Sequence, residues 1–216
     1  MKKIITGCLG CWLGLATSVN GSTGKHIELR SGVCLPQEKS NVHYKNAPCF
    51  SAECGLSWES WRLGLQIGYV KYENKKVTQG NVHANTVFGS SHFKDPRFKA
   101  LSAMINLYHV WQLSQNVEFY VGGGLGMARL NYRFLDSRDD LNGGPNKVYK
   151  QDKNLLAAQV MCGVAYDLND HWSVSLGYRC MKMETVKYNT IEDAEYWPSL
   201  KTPFLHSLEA GLRYKF

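Results

Sequence analysis

Residues 100–134 have the sequence ALSAMINLYHVWQLSQNVEFYVGGGLGMARLNYRF, which predicts two long β-strands joined by a short polar turn. Apolar side chains occupy alternate positions from Leu101 to Trp111, and this period of two is typical of a strand, whose successive side chains point to opposite faces. In the second strand the alternating column Gly122–Gly126 is too small to form a soluble core. It suits the crowded interior of a narrow barrel, where a large neighbour such as Tyr108 needs room. The aromatic and aliphatic face would then point outward into lipid.

The same hairpin resembles a known family. Residues 106–108 (NLY) and 119–126 (FYVGGGLG) are similar to the N-L-Y and Y-V-G-A-G-L-G motifs of OmpA-like outer-membrane β-barrels. Residues 163–168 (GVAYDL), 176–179 (LGYR) and 208–216 (LEAGLRYKF) resemble later segments of that family, in the same order. The resemblance covers the second half of the chain by motif and the first half by pattern. It implies a non-catalytic membrane barrel that is a structural protein, an adhesin or a host-interaction antigen.

Alternation along the rest of the chain predicts eight strands. They are residues 26–35, 49–58, 61–75, 100–111, 117–134, 154–168, 171–188 and 204–216. The connections between them are alternately long and short, which is typical of bacterial outer-membrane barrels with short periplasmic turns and long extracellular loops. We therefore predict an all-β fold over residues 19–216, a single closed antiparallel up-and-down transmembrane β-barrel of eight strands with both ends on the periplasmic side.

The N-terminus has the composition of a secretory signal peptide. Lys2 and Lys3 precede the apolar run Ile4–Ala16, which is too short for a membrane-spanning helix. We assign residues 1–18 to the signal peptide, with cleavage between 18 and 21, and expect export to the bacterial outer membrane. Residues Ile5–Cys8 also resemble a lipobox, but they come too early to leave a proper apolar region.

Five cysteines follow the signal peptide, and an odd number in an exported chain leaves at least one free thiol or an intermolecular bridge. Three of them, Cys34, Cys49 and Cys54, lie around one loop and form a possible disulfide set. Cys162 and Cys180 are interpreted as small apolar residues of the lipid-facing side.

The inward columns of the predicted strands carry polar side chains. They are Arg62, Gln66, Asn106, Glu118, Gln159, Arg179, Glu209 and Arg213. An eight-stranded barrel is filled by side chains, and buried charges are costly unless paired. We therefore predict a salt-bridge network among the five charged members of this set. Two interpretations remain open, a structural polar plug and a gated ion path, and the strand number favours the plug.

The predicted last strand has an unbroken apolar column that ends on an aromatic residue. Its members are Leu208, Ala210, Leu212, Tyr214 and Phe216. In outer-membrane barrels a terminal aromatic on such a strand resembles the assembly signal that the barrel-insertion machinery reads. The alternative is an ordinary amphipathic edge strand.

No motif in the sequence indicates an enzyme. The seven histidines lie mostly in predicted loops or at strand ends, and none stands in a pattern that pairs it with a serine and a carboxylate. His83 and His92 share a loop and could bind a metal weakly, although solvated loop histidines are far more common. Phosphate-loop, dinucleotide and zinc-hydrolase motifs are absent. We expect no enzymatic activity, no cofactor and no resident metal.

The net charge of +7 is spread without a long run of one sign, so a nucleic-acid partner is not indicated. A basic outer rim would instead meet anionic lipopolysaccharide in the outer-membrane lipid, and we expect a monomer. Because loops on a rigid scaffold carry specificity, the predicted role is structural or surface interaction, through four long extracellular loops, with an unidentified extracellular or host ligand. The alternatives are a small porin-type channel for ions or small solutes, and a soluble exported ligand-binding barrel, which would need an apolar interior.

Overall fold

A computed structural model of the chain describes residues 24–37, 42–77, 93–136, 147–185, 202 and 204–216. These residues are almost entirely β-strand. The strands are β1 (Gly24–Pro36), β2 (Val42–Tyr44), β3 (Ala47–Trp58), β4 (Trp61–Val77), β5 (Phe93–Ser114), β6 (Val117–Asp136), β7 (Lys147–Asp167), β8 (Trp172–Met183) and β9 (Phe204–Lys215). Within the described ranges there is no helix of the length and hydropathy needed to span a membrane. The predicted signal peptide, residues 1–18, lies outside them.

All strands except β2 form one closed ring. From β3 to β9 each strand pairs antiparallel with the next along the chain, and β1 pairs with β3 on one side. On its other side β1 pairs with β9, from His26 opposite Lys215 to Pro36 opposite Leu205. Closure leaves no free edge in the ring, so its main-chain hydrogen bonds are made within the sheet. The predicted all-β, eight-stranded, up-and-down barrel is thereby confirmed.

Several strands are longer than the sequence pattern predicts. β5 begins at Phe93 and β7 at Lys147, inside segments predicted to be loops. The short β2, which was not predicted at all, pairs Val42 with Val77 and so extends the β3–β4 hairpin. The prediction relied on alternating apolar side chains. Main-chain pairing between antiparallel neighbours continues past the last apolar residue, because the ladder requires only the backbone.

The two ends of the barrel differ. Glu59–Ser60, Gln115–Asn116 and residues 168–171 connect strands at one end, named here the turn end, where Gly24 and Phe216 also lie. Glu59 adopts a left-handed φ of 49°, as the first residue of a tight hairpin turn often does. At the opposite end, named the loop end, the connections span residues 37–46, 78–92, 137–146 and 184–203.

The outer face carries an exposed apolar belt. On β5 its outward side chains run from Leu101 to Trp111, which is roughly 34 Å along a strand and about 25 Å for a strand tilted by about 40°. That height matches the apolar band of barrels that cross an outer membrane. Exposed aromatic residues gather where the belt meets the turn end: Trp58, Trp61, Trp111, Tyr166, Trp172 and Phe216. Above the belt, towards the loop end, Lys71, Lys99 and Arg129 face outward.

Candidate functional site

The interior of the barrel is packed in two layers. The polar layer lies towards the turn end and comprises His26, Glu28, Arg30, Glu53, Arg62, Gln66, Asn106, Tyr108, Glu118, Gln159 and Arg213, all buried. The apolar layer lies towards the loop end and includes Val70, Tyr72, Phe98, Leu130, Leu155, Met183 and Leu205. The predicted polar residues therefore fill only part of the inner face. Most of the charged and amide groups lie in the turn-end half of the inward columns, and most large apolar side chains lie in the loop-end half.

An uninterrupted chain of ion pairs crosses the polar layer. Arg30 Nη2 lies 2.8 Å from Glu28 Oε2 and 3.4 Å from Glu53 Oε1. Arg213 joins Glu28 to Glu118, at 3.1 Å through Nε and 3.0 Å through Nη1. Each carboxylate thus lies beside an arginine, which lowers the cost of burying both charges.

Arg62 ends that chain, with Nη2 at 2.8 Å from Glu118 Oε2. Lys215 reaches the other oxygen of Glu118 at 3.3 Å and also lies 2.8 Å from Asp167. Glu118 is therefore shared by three cations at the mouth of the turn end. A side chain held by three partners, one on β4 and two on β9, cannot swing out of the lumen without breaking all three contacts.

Three amide side chains form a hydrogen-bonded group beside the charges. Gln159 Nε2 donates to Gln66 Oε1 and to Asn106 Oδ1, both at 2.7 Å. Asn106 Nδ2 in turn donates to Glu53 Oε2 at 2.8 Å. Because β4, β5 and β7 meet here across the lumen, the amides bind together strands that are not all neighbours in the sheet. The three amides thus lie across the lumen and hydrogen-bond to one another and to Glu53.

The structure places all eight predicted interior residues inside the barrel, but in two groups instead of one network. Arg179 pairs with Glu209, and Ser207 Oγ donates to Glu209 Oε1 at 2.9 Å. This group belongs with the apolar layer, because Glu209 lies four residues along β9 from Arg213, towards the loop end. The predicted network of five charged residues is therefore divided, with Glu118, Arg62 and Arg213 in the other group.

Sequence reasoning missed three charged residues of the polar layer, Glu28, Arg30 and Glu53. Each is buried, and their outward neighbours Ile27 and Leu29 are exposed. The signal was the same alternation that identified the other interior residues. In β1, as in the later strands, a charged residue between two exposed aliphatic residues occupies an inward position.

Glycines on neighbouring strands make room for these large side chains. A Cβ on Gly122 would overlap the ring of Tyr108, as the sequence pattern predicts, and one on Gly124 would overlap Asn106. Gly64 faces the carboxylate of Glu53 in the same way. Glycine is thus found where a bulky side chain of a neighbouring strand lies directly against the main chain and leaves no room for a Cβ atom.

The cysteines of the possible disulfide set are free thiols in the structure. Cys34 and Cys49 face the interior, where the Cys49 thiol lies 3.7 Å from Glu209, whereas Cys54 faces outward. Of the three pairings, only Cys34 with Cys49 has both sulfurs on one face of the sheet. A disulfide within this set stays a prediction.

Two other groups of predicted residues can be located. The column proposed as an assembly signal, Leu208 to Phe216, faces outward on β9 and just beyond it. His83 and His92 lie outside the described residues. Among the side chains that the structure describes, no three His, Cys, Asp or Glu residues are grouped so as to hold a metal ion.

Comparison with known proteins gives a family. The family model described as "Outer membrane protein beta-barrel domain" matches residues 12–216. No curated protein matches the sequence significantly. Among solved structures, Neisserial surface protein A (NspA) has a TM-score of 0.54 at 16% identity, over 91% of this chain and 98% of that one. A major outer membrane protein from Thermus thermophilus has a TM-score of 0.59 at 12% identity, over 91% of this chain and 100% of that one. At these identities the likeness concerns the fold.

Proposed function

The chain belongs to the outer-membrane protein β-barrel domain family, and on that premise we propose that it is an exported, non-enzymatic protein of the bacterial outer membrane. Its role is structural or surface interaction, and it acts through the four connections at the loop end. The turn end then faces the periplasm and the loop end faces the cell exterior, as short turns and long connections are distributed in this class of protein.

The filled interior is the observation that carries this proposal. Glu28, Arg30 and Arg213 occupy the lumen as one ion-paired group, and the apolar layer closes the cross-section above them. A barrel packed in this way is a rigid support. What it can present to the environment is the set of segments that leave its loop end, where binding residues are usually found on such scaffolds.

Two alternative functions are less well supported. A porin-type channel needs a continuous aqueous path, whereas the Gln66–Asn106–Gln159 group and the apolar layer both fill the lumen. A soluble ligand-binding barrel needs a polar exterior and an apolar cavity. Here the exterior is an apolar belt, on which Leu125 is 71% exposed.

The outward face supports two membrane partners. Lys71 on β4 lies directly opposite Lys99 on β5 in the sheet. Arg129 on β6 lies opposite Leu101 on β5. These cations lie just beyond the apolar belt, at the level where phosphate groups of lipopolysaccharide would be found. The apolar column of β9, which ends on Phe216, is available to the barrel-insertion machinery during assembly. Since every ring strand already has two partners, we propose a monomer.

The orientation can be tested with epitope tags on intact cells. One tag is inserted between residues 141 and 142, in a loop-end connection, and a matched tag between Gln115 and Asn116, in a turn. The proposal expects antibody to label the first tag on intact cells and the second only after the outer membrane is permeabilised. Labelling of the turn tag on intact cells, or recovery of the protein in the soluble periplasm, would contradict it.

The role of the connections can be tested separately. Replacing residues 80–90 by a glycine-serine segment of equal length leaves the described barrel unchanged. If the protein interacts with surfaces, cells carrying this variant adhere less to host cells than cells with the unaltered protein. The two kinds of cell are compared at equal amounts of folded, heat-modifiable barrel. Equal adhesion, together with increased envelope permeability when the whole protein is deleted, would support a purely structural role.

A further inference from the structure

A cavity of about 230 Å³ opens at the turn end of the barrel. Its cationic lining comes from Lys25, Arg62, Arg213 and Lys215, with Glu118 at its inner side. These residues belong to β1, β4, β6 and β9, so the cavity lies in the mouth of the lumen. The volume is several times the roughly 30 Å³ that one water molecule occupies in the liquid.

The two arginines beside this cavity have hydrogen-bond donors without acceptors. Arg62 uses Nη2 on Glu118, but its Nε and Nη1 have no partner. Arg213 uses Nε and Nη1 on Glu28 and Glu118, but its Nη2 has none. Arg62 is 3% exposed and Arg213 is 1% exposed. Buried donors of a charged group are costly when unsatisfied, so three of them on two arginines that line one cavity would favour an acceptor there.

His26 adds a fourth unsatisfied group at the same place. It lines the cavity and is 3% exposed, and its Nε2 has no hydrogen-bond partner. Its nearest acidic atom is Glu53 Oε1, at 3.8 Å, which is too long for a hydrogen bond.

The groups around the cavity lack hydrogen-bond acceptors, although their charges are largely balanced. Glu28 pairs with Arg213 from deeper in the lumen, and Asp167 pairs with Lys215 from the rim. These two carboxylates already balance their cations but leave Nε and Nη1 of Arg62 without acceptors. Proteins use the free N–H donors of a guanidinium to hold carboxylate or phosphate oxygens through charge-assisted hydrogen bonds.

We propose that this cavity is a binding site for a small oxyanion, a carboxylate or a phosphate group, held by Arg62 and Arg213. The three unsatisfied nitrogens are shielded from solvent, so binding requires a small rotation of a guanidinium towards the cavity that both arginines line. The volume admits a phosphate ion or the terminal carboxylate of a peptide. It is below the range of about 300–1,000 Å³ that is usual for larger ligands. The inference uses the proposed orientation only to name the periplasm as the side of entry.

The site can be tested with inorganic phosphate and acetate as probes. The folded full chain is placed in a detergent with an uncharged sugar headgroup, so that no headgroup phosphate competes, and binding is measured by calorimetry against chloride. We expect saturable binding of at least one of the two probes. Absence of saturable binding for both would overturn the proposal.

Two arginine variants locate the site. Arg62→Gln removes the free Nε and Nη1 donors of the guanidinium, while Glu118 keeps Arg213 and Lys215 as partners, and about tenfold weaker binding is expected from the loss of one charge-assisted hydrogen bond. Arg129→Gln is the matched control, because Arg129 is an exposed arginine paired with Asp152 beyond the belt at the loop end. Unchanged binding in Arg62→Gln, or equal weakening in Arg129→Gln, would contradict the assignment.

A conservative variant separates loss of the site from loss of the fold. Arg62→Lys keeps a cation beside Glu118 but lacks the free Nε and Nη1 donors of the guanidinium, so weakened binding is again expected. Each variant is first checked for heat-modifiable migration on a denaturing gel, and Arg62→Lys decides the test if Arg62→Gln does not fold. Normal affinity in a folded Arg62→Lys would contradict binding through these donors. Because the assay is done in micelles, its failure would leave the orientation tested by the epitope tags unaffected.

A last titration identifies the source of the anion. Phosphate binding is repeated in bilayer discs that contain phosphatidylglycerol and compared with discs of uncharged glycolipid. Weaker apparent phosphate affinity in the first would support a lipid headgroup as the occupant of the site. Equal affinity in both would support a free periplasmic anion.

Discussion

The hydroxyl group of Tyr108 donates a hydrogen bond of 2.6 Å to Oε2 of Glu53 across the lumen of the barrel. The same oxygen accepts from Asn106 Nδ2 at 2.8 Å, and the other oxygen of Glu53 lies 3.4 Å from Arg30. Glu53 therefore joins the ion-paired chain to the amide group. Its contacts link β3 to β5, which are not neighbours in the sheet, so the junction helps to fix the cross-section of the barrel.

Removal of the Tyr108 hydroxyl should destabilise the barrel. Tyr108→Phe leaves a buried carboxylate without one of its donors, and we expect a loss of about 1–3 kcal/mol in the free energy of unfolding. Urea unfolding in detergent micelles or lipid vesicles would measure it. Tyr69→Phe is the control, because Tyr69 faces outward and is 40% exposed, and it should change stability little. Equal effects of the two substitutions would mean that the Tyr108–Glu53 bond does not contribute.

A second prediction concerns two adjacent glycines. Gly122 points inward and a Cβ there would overlap the Tyr108 ring, whereas a Cβ on outward-facing Gly123 would lie 3.8 Å from the main-chain oxygen of Gln159. Gly122→Ala should therefore cost about 1–3 kcal/mol through overpacking. Gly123→Ala should be neutral or slightly stabilising, because alanine restricts the unfolded chain. The unfolding midpoints of the pair test the assignment of the two faces, which would be refuted if Gly123→Ala were the more harmful.

The depth of the apolar belt can be tested with one substitution at two heights. Leu125 is 71% exposed in the middle of the belt, and Leu113 is 64% exposed at the turn end. Leu125→Arg should destabilise the membrane-inserted barrel by about 2–4 kcal/mol, and Leu113→Arg by about 0–1 kcal/mol. Reversible folding into lipid vesicles measures both. If the two variants were equally stable, the belt would not lie in the hydrocarbon of the bilayer.

The shared carboxylate at the mouth should be more important than an exposed one. Glu118→Gln leaves Arg62 and Arg213 buried without their common anion, and we expect a loss of about 3–5 kcal/mol. Asp152→Asn removes the partner of Arg129 on the exposed outer face, where solvent screens the pair, and should have little effect. Both are measured by urea unfolding at low and moderate salt. A small effect of Glu118→Gln would show that the three cations find other partners.

The sequence was sufficient to predict the barrel because its signals are local. Alternation assigns a face to each residue, and the regular change between short and long connections determines how consecutive strands pair. Closure through β1 and β9 then follows, since no edge can stay open in lipid. Strand ends were less accurate, as at Phe93 and Lys147, because a main-chain ladder continues where the apolar pattern has stopped.

The interior was predicted only in part because its contacts depend on the stagger of strands that are distant in sequence. The alternation of side chains along each strand is enough to place Glu118 and Glu209 on the inner face. Which arginine each one meets depends on height along the lumen, and this separates Arg179 from Arg213. The apolar layer was missed for the same reason. Val70 and Leu130 occupy inward positions, as the charged residues do, but they lie nearer the loop end.

If the barrel is a sealed scaffold, it conducts no ions, and its electrical conductance can be measured. Purified, heat-modifiable protein would be inserted into planar lipid bilayers, with insertion verified by labelling. We predict no discrete current steps above those of the bare bilayer, because the ion-paired chain, the amide group and the apolar layer together fill the lumen. Reproducible steps of constant size from the folded protein would contradict the sealed scaffold and support a channel.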